Sequence, residues 1–124
     1  TYFALRKIEI KNIDGINRVC LNGKPIFMNG VLDQGYFEDG IYLPEDEGEF
    51  AKDILRMKEL GINLLRKHCK VEPEYFYYAC DKLGMLVMQA VAAHKFWYGA
   101  TFSDSDISLI IKDANDEMRR LFND

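Results

Sequence analysis

Lys58-Glu59-Leu60-Gly61-Ile62-Asn63-Leu64-Leu65 is answered 23 residues later by Asp81-Lys82-Leu83-Gly84-Met85-Leu86-Val87-Met88. Each stretch is the charged end of a helix, a Leu-Gly stop and a short apolar run. Glycine just past a helix accepts the left-handed turn that ends it. An apolar run without alternation reads as a strand buried on both faces, the habit of parallel sheets. The residues ahead of each stop have the 3.6-residue period of a helix. Before the first, Phe50, Ile54 and Met57, with the neighbouring Leu55 and Leu60, form an apolar stripe, and Asp46 with Glu49 makes a cap. Before the second, Pro73 opens a helix whose Phe76, Tyr77, Cys80 and Leu83 face inward. A third helix follows Ser103 to Ser105, with Ile107, Ile110, Ile111, Ala114, Met118, Leu121 and Phe122 on one face. Strands alternating with amphipathic helices mean βαβ units.

Upstream, the period is 2. Tyr2 to Ile10 is rich in aromatic and β-branched residues, and Asp14-Gly15 and Asn22-Gly23 are hairpin signals. Pro25 belongs at a strand's start or edge, so the next strand is expected from Ile26 through Met28 to Leu32. The fold class is therefore α/β: a short antiparallel β-ribbon over 1–25, then three parallel βα units over 26–124. Three parallel strands make either a minimal open sheet or the first third of an eight-stranded barrel.

A chain of 124 residues is one domain, long enough to bury roughly two-thirds of the surface it exposes unfolded. With 16 basic against 20 acidic residues the net charge is −4, which argues against nucleic acid held by phosphate neutralisation. No apolar run reaches membrane-spanning length. Three cysteines without CxxC indicate neither a disulfide framework nor a zinc knuckle, and favour a reducing, cytoplasmic setting. A first residue other than methionine suggests a piece of something longer.

Ligands of parallel α/β folds sit at the carboxyl ends of the strands. Here those ends are Leu32-Asp33-Gln34, Arg66-Lys67-His68-Cys69-Lys70 and Gln89-Ala90. Arg66, directly after a strand, can offer a bidentate fork to a carboxylate or a sugar hydroxyl. Lys67 and Lys70 read as solvated loop charges, and His68 as structural or exposed more readily than catalytic. Trp97 is either a sugar-stacking platform or a core plug. Adjacent His68 and Cys69 with a remote His94 match no metal-ligand spacing, and no glycine-rich phosphate loop is present. No metal and no cofactor are expected.

Three stretches, NGKPIFMNGVLDQGYFEDGIY (22–42), DILRMKELGINLLRKHCKVEP (53–73) and FYYACDKLGMLVMQ (76–89), resemble the opening of the catalytic barrel of glycoside hydrolase family 2. RKIEI (6–10) resembles that family's junction between an immunoglobulin-like domain and the barrel. The resemblance implies a partial (β/α)8 TIM barrel from a retaining hydrolase of β-glycosides, of the β-galactosidase or β-glucuronidase class. Its acid/base and nucleophile glutamates belong to strands 4 and 7, outside this chain, so no catalytic residue is expected within it. What the resemblance carries over is a set of substrate-binding residues, Arg66, Asp33, Gln34 and Gln89; the residue reading adds His68 and Trp97 to the substrate-binding candidates. Met88-Gln89-Ala90 departs from the tryptophan, glutamine, acid pattern of close relatives. The implied partners are a β-glycoside, and the rest of the barrel or a second copy through exposed sheet edges. In such an open barrel Arg66 is expected in water or partly paired with Asp33. The rival function is a non-catalytic interaction or carbohydrate-binding module that keeps a barrel rim.

Overall fold

A computed structural model describes residues 3, 5–90 and 103–122. The ribbon comes first, as β1 (Ile8–Ile13), β2 (Ile16–Leu21) and the edge strand β3 (Lys24–Pro25), antiparallel in that order. Both tight turns are where Asp-Gly and Asn-Gly stand. Asp14 and Gly15 have φ of 53° and 79°, Asn22 and Gly23 of 50° and 80°, the pair of left-handed residues a type I′ turn requires. Two expectations are corrected here. The first strand starts later and runs to Ile13 instead of ending at Ile10. Pro25 closes a short edge strand opposite Cys20 rather than preceding a long one, because an edge residue can lack an N–H without breaking a ladder. Residues 26–29 are then a connector, tied back by the Ile26 amide to Val19 O at 2.9 Å.

The second sheet is parallel, in the order β4 (Gly30–Asp33), β5 (Leu64–Lys67), β6 (Leu86–Gln89). The helices α1 (Gly48–Glu59) and α2 (Glu74–Leu83) lie between consecutive strands, which makes two βαβ units. Gly61 and Gly84 stop them at φ of 79° and 70°. Asp46 acts one residue ahead of the cap position, its Oδ1 accepting the Gly48 amide at 2.7 Å. Pro73 occupies the cap of α2 itself. Strands β5 and β6 sit further along the chain than their apolar runs suggest, so Arg66, Lys67 and Gln89 are strand residues.

One core joins both helices to the sheet: Phe50 and Ile54 of α1, Leu65 of β5, Phe76, Ala79 and Cys80 of α2, and Met85. Each large side chain so buried contributes about 1.5–3 kcal/mol. Phe50 holds the cluster together through edge-on contacts with Phe37 at 5.3 Å and Phe76 at 5.6 Å. Leu55 and Leu60, expected in the α1 stripe, are exposed. Leu55 falls outside the arc set by Phe50, Ile54 and Met57, and Leu60 comes after the helix has ended.

The third helix, α3 (Asp104–Phe122), begins where the serines predict, with Ser103 Oγ accepting the Asp106 amide at 3.2 Å while Asp106 Oδ2 accepts the Ser103 amide at 3.2 Å. Of its expected face, Ile107, Ile110 and Ala114 are half-buried, and Ile111 is exposed. The side chains of Met118, Leu121 and Phe122 lie outside the described set.

Candidate functional site

Strand residues alternate between the faces of a sheet, so residues paired across the three parallel strands share a face. The register puts Leu32, Arg66 and Met88 in one row and Asp33, Lys67 and Gln89 in the next. The first row is on the face away from α1 and α2. Leu32 and Met88 are 55% and 47% exposed, and Arg66 between them is exposed as well. Among the described residues no carboxylate pairs with Arg66. Asp33, expected as its partial partner, is engaged elsewhere.

The second row is on the helix side, where Lys67 is 1% exposed. Its Nζ lies 2.8 Å from Asp33 Oδ2 and 2.6 Å from Glu72 Oε1, and 4.7 Å from the centre of the Phe76 ring. Lys70, 3% exposed, reaches the same Glu72 oxygen at 3.0 Å. Its Nζ also donates to Gly35 O at 2.7 Å and to Tyr42 O, and rests over the Tyr42 ring at 4.4 Å. Two lysines and two carboxylates thus balance in charge. Glu72 contacts both ammonium groups ionically, and neither of its oxygens has a directional hydrogen bond among the described residues. Lys67 and Lys70 are not the solvated loop charges their sequence suggested. They can be buried because each ammonium finds an anion, and lone charges do not stay buried.

Gly35 sits on top of this cluster at φ 63°. A Cβ there would lie 2.1 Å from Glu72 Oε1 and within 3 Å of both lysine Nζ atoms. Only glycine leaves room. Asp33 Oδ1 accepts the Gly35 amide at 2.7 Å, closing the turn.

Gln89 belongs to the network's far side. Its Oε1 accepts from Tyr77 OH at 2.6 Å, and its Nε2 donates to Lys70 O at 2.8 Å and to Ala90 O at 2.9 Å. The Tyr77 hydroxyl in turn accepts the Glu72 amide at 3.2 Å.

Gln34 and His68 complete the rim. Each stands one residue past the row on the helix side, and Gln34 Nε2 is 3.1 Å from His68 Nδ1. His68 donates its amide to Asp33 O at 2.9 Å, and its Nε2 lies 3.3 Å from Cys69 Sγ. Cys69, at φ 58°, is exposed, whereas burial pushes the Cys80 thiol up to about 12. Of the six residues singled out from the sequence, five come to the carboxyl end of the sheet. They divide into a rim of Arg66, Gln34 and His68 and a half-buried pair on the helix side, Asp33 and Gln89. Trp97 lies outside the described residues. Sequence reasoning missed Lys67, Lys70 and Glu72 as members of the site. The signal was the period of 2: Lys67 shares a face with Leu65.

A cavity of about 60 Å³ between the turn after β4 and α1, lined by Asp33, Tyr36 and Asp53 among others, is too small for a sugar ring. No group of three His, Cys, Asp or Glu side chains among the described residues is arranged to hold a metal ion.

Three parallel strands with α1 and α2 on one face and a polar rim at the carboxyl end make an α/β sheet, with no closed barrel among the described residues. The model of the glycosyl hydrolases family 2 TIM barrel domain matches residues 8–123, and the chain belongs to that family. It is similar to the exo-beta-D-glucosaminidase of Amycolatopsis orientalis, 30% identical over 98 residues, covering 78% of this chain and 9% of that protein. A putative beta-glucuronidase of Formosa agariphila is 31% identical over 96 residues, 73% of this chain and 8% of the relative. Among solved structures, the beta-glucuronidase of Parabacteroides merdae superposes with a TM-score of 0.68 at 19% identity, covering 98% of this chain and 20% of that one. That likeness speaks for the fold. The chain spans about a tenth of the curated relatives it matches.

Proposed function

We propose that these residues form the first three βα units of a (β/α)8 barrel that hydrolyses β-glycosidic bonds with retention. In this reading the row Leu32–Arg66–Met88 faces the barrel interior. The observation that carries it is Arg66: a guanidinium at the carboxyl end of a central parallel strand, on the face the helices leave open, with no carboxylate paired to it among the described residues. A fork-shaped cation in that place suits a glutamate contributed by a later strand. Retaining hydrolysis needs two carboxyl groups about 5–5.5 Å apart, one as acid/base and one as nucleophile. Both would come from sequence beyond these 124 residues. Gln34 and His68 would line the sugar pocket beside Arg66, and Asp33 and Gln89 would serve it from beneath, through the buried network. The β-ribbon over 1–25 would lead into the barrel unit over 26–124. The partner of the open face is the rest of the barrel or, for the chain alone, a second copy joined through the free edges of β4 and β6.

The test is a graft. Residues 8–123 replace the matched segment of a family 2 glucuronidase or glucosaminidase, and hydrolysis of nitrophenyl β-glycosides is measured. The graft should turn over substrate, and Arg66→Met in it should lower kcat/KM by roughly 100-fold, the scale of a misplaced reacting group. The 124-residue chain alone should not turn over. An active graft indifferent to Arg66→Met, or hydrolysis by the chain alone that one carboxylate substitution abolishes, would overturn the reading.

A further inference from the structure

Lys67, Lys70 and Glu72 are each no more than 3% exposed, and apolar side chains of similar volume would stabilise such a site at least as well. What the charges do that apolar groups cannot is hold particular polar atoms of the neighbouring turn. On the β4 side, Lys67 holds the Asp33 carboxylate and Lys70 holds the Gly35 carbonyl, so the residues before and after Gln34 are both anchored. On the β5 side, His68 and Cys69 stand between those same two buried lysines. The Lys70 ammonium also reaches Tyr42 O, which fastens the far end of the turn that begins at Gly35. Gly35 has no side chain to push the cluster away.

We infer that Lys70 and Glu72 are positioning residues of the rim: their buried ion pair clamps the turn after β4 so that Gln34 meets His68 beside Arg66. Glu72 orients both lysines, and Lys70 carries the hold to the backbone. Neither touches the open face. This inference rests on the proposed sugar pocket for its functional meaning and on the network alone for its geometry.

The decisive variants of the 124-residue chain are Lys70→Met and the double change Lys70→Met/Glu72→Leu. The single change strands the Glu72 charge beside one lysine, and the chain should melt markedly lower. The double change removes cation and anion together, leaves Lys67 paired with Asp33, and should melt close to the native chain. Nitrogen-15 spectra of the imidazoles then report the rim, and with only two histidines in the sequence the assignment follows from His68→Gln. In the double variant the His68 Nδ1 signal should move toward that of free imidazole, and the Gln34 amide signals should lose their separate position. Amide exchange of Leu65 and Val87 should stay slow. Unmoved His68 and Gln34 signals would overturn the inference. So would a double variant that melts as low as the single one, because the network would then hold up the fold rather than place the rim. In the graft, the double variant should lower kcat/KM roughly 10- to 100-fold, as slight misplacement of lining groups does. A graft inactive with its native residues would sink the glycosidase reading, while the imidazole spectra would still decide whether the clamp exists.

Discussion

Arg66 and Lys67 are neighbours in one strand, both basic, and they meet opposite fates. Arg66 stands in the open row between Leu32 and Met88, in water and without a carboxylate among the described residues. Lys67 stands in the next row, walled in by Asp33, Glu72 and the Phe76 ring. The contrast teaches that at the end of a parallel strand the face, set by a period of 2, decides what a charge does. Residue type and exposure of the surrounding loop do not.

The comparison can be broken most directly at Lys67. Lys67→Met leaves the buried Glu72 with Lys70 alone and takes the cation from part-exposed Asp33, and denaturant melts should show a loss of about 3 kcal/mol, the lower end for a broken buried pair. A loss under about 1 kcal/mol, far below the usual cost of a stranded buried charge, would mean that water enters the cluster. Gly35→Ala comes next. Its Cβ would overlap Glu72 Oε1, so the turn or the carboxylate must move, at a cost of about 1–3 kcal/mol from crowding. The same substitution at Gly15, where nothing lies within 4 Å, meets only backbone strain and should cost less.

A third contrast sets the two sides against each other through their thiols. Cys80, in the buried layer, has its pKa raised from 9.0 to about 12, first by desolvation and then by Asp81. A folded pKa above the unfolded one stabilises the protein fully below pH 9, and that contribution fades as pH climbs from 9 toward 12. Stability should therefore fall by on the order of 1 kcal/mol per unit above pH 9, and Cys80→Ala should flatten the slope. A disulfide reagent should meanwhile label exposed Cys69 long before Cys80. The smallest effect is expected at Arg66. Arg66→Met in the 124-residue chain should shift stability by no more than about 0.5 kcal/mol, as surface changes do. A loss of several kcal/mol would mean that Arg66 is held by a contact within the fold instead of standing in water.

Much of this architecture is legible in the chain. The two Leu-Gly stops at Gly61 and Gly84, the I′ turns at Asp14-Gly15 and Asn22-Gly23, and the inward faces of α1 and α2 follow from local rules that tertiary structure had no reason to override. The site was legible only as a place. Leu64 and Leu65 are both apolar, so the run shows a buried strand without showing which residue faces the helices, and the sides of Arg66 and Lys67 stay open. Glu72 is harder still. It lies between β5 and α2, two residues after Lys70, and nothing local says that this stretch folds back to set its carboxylate against both ammonium groups. The fold-back packs under the turn after β4, where Gly35 has no side chain to overlap the Glu72 carboxylate.

Asn63 also has a practical meaning. Its side chain donates to Phe27 O at 2.7 Å and accepts the Asn29 amide at 2.8 Å, while its backbone carbonyl receives the Leu86 amide at 3.0 Å. One residue therefore bastes the connector out of the ribbon to the starts of β5 and β6. For anyone recombining such barrels, this fixes where the scissors go. A crossover placed at the start of β4 would cut behind the stitch, leaving the Asn63 amide to face whatever backbone the donor supplies. A crossover ahead of Ile26 carries Phe27 and Asn29 along with Asn63, and the seam travels intact.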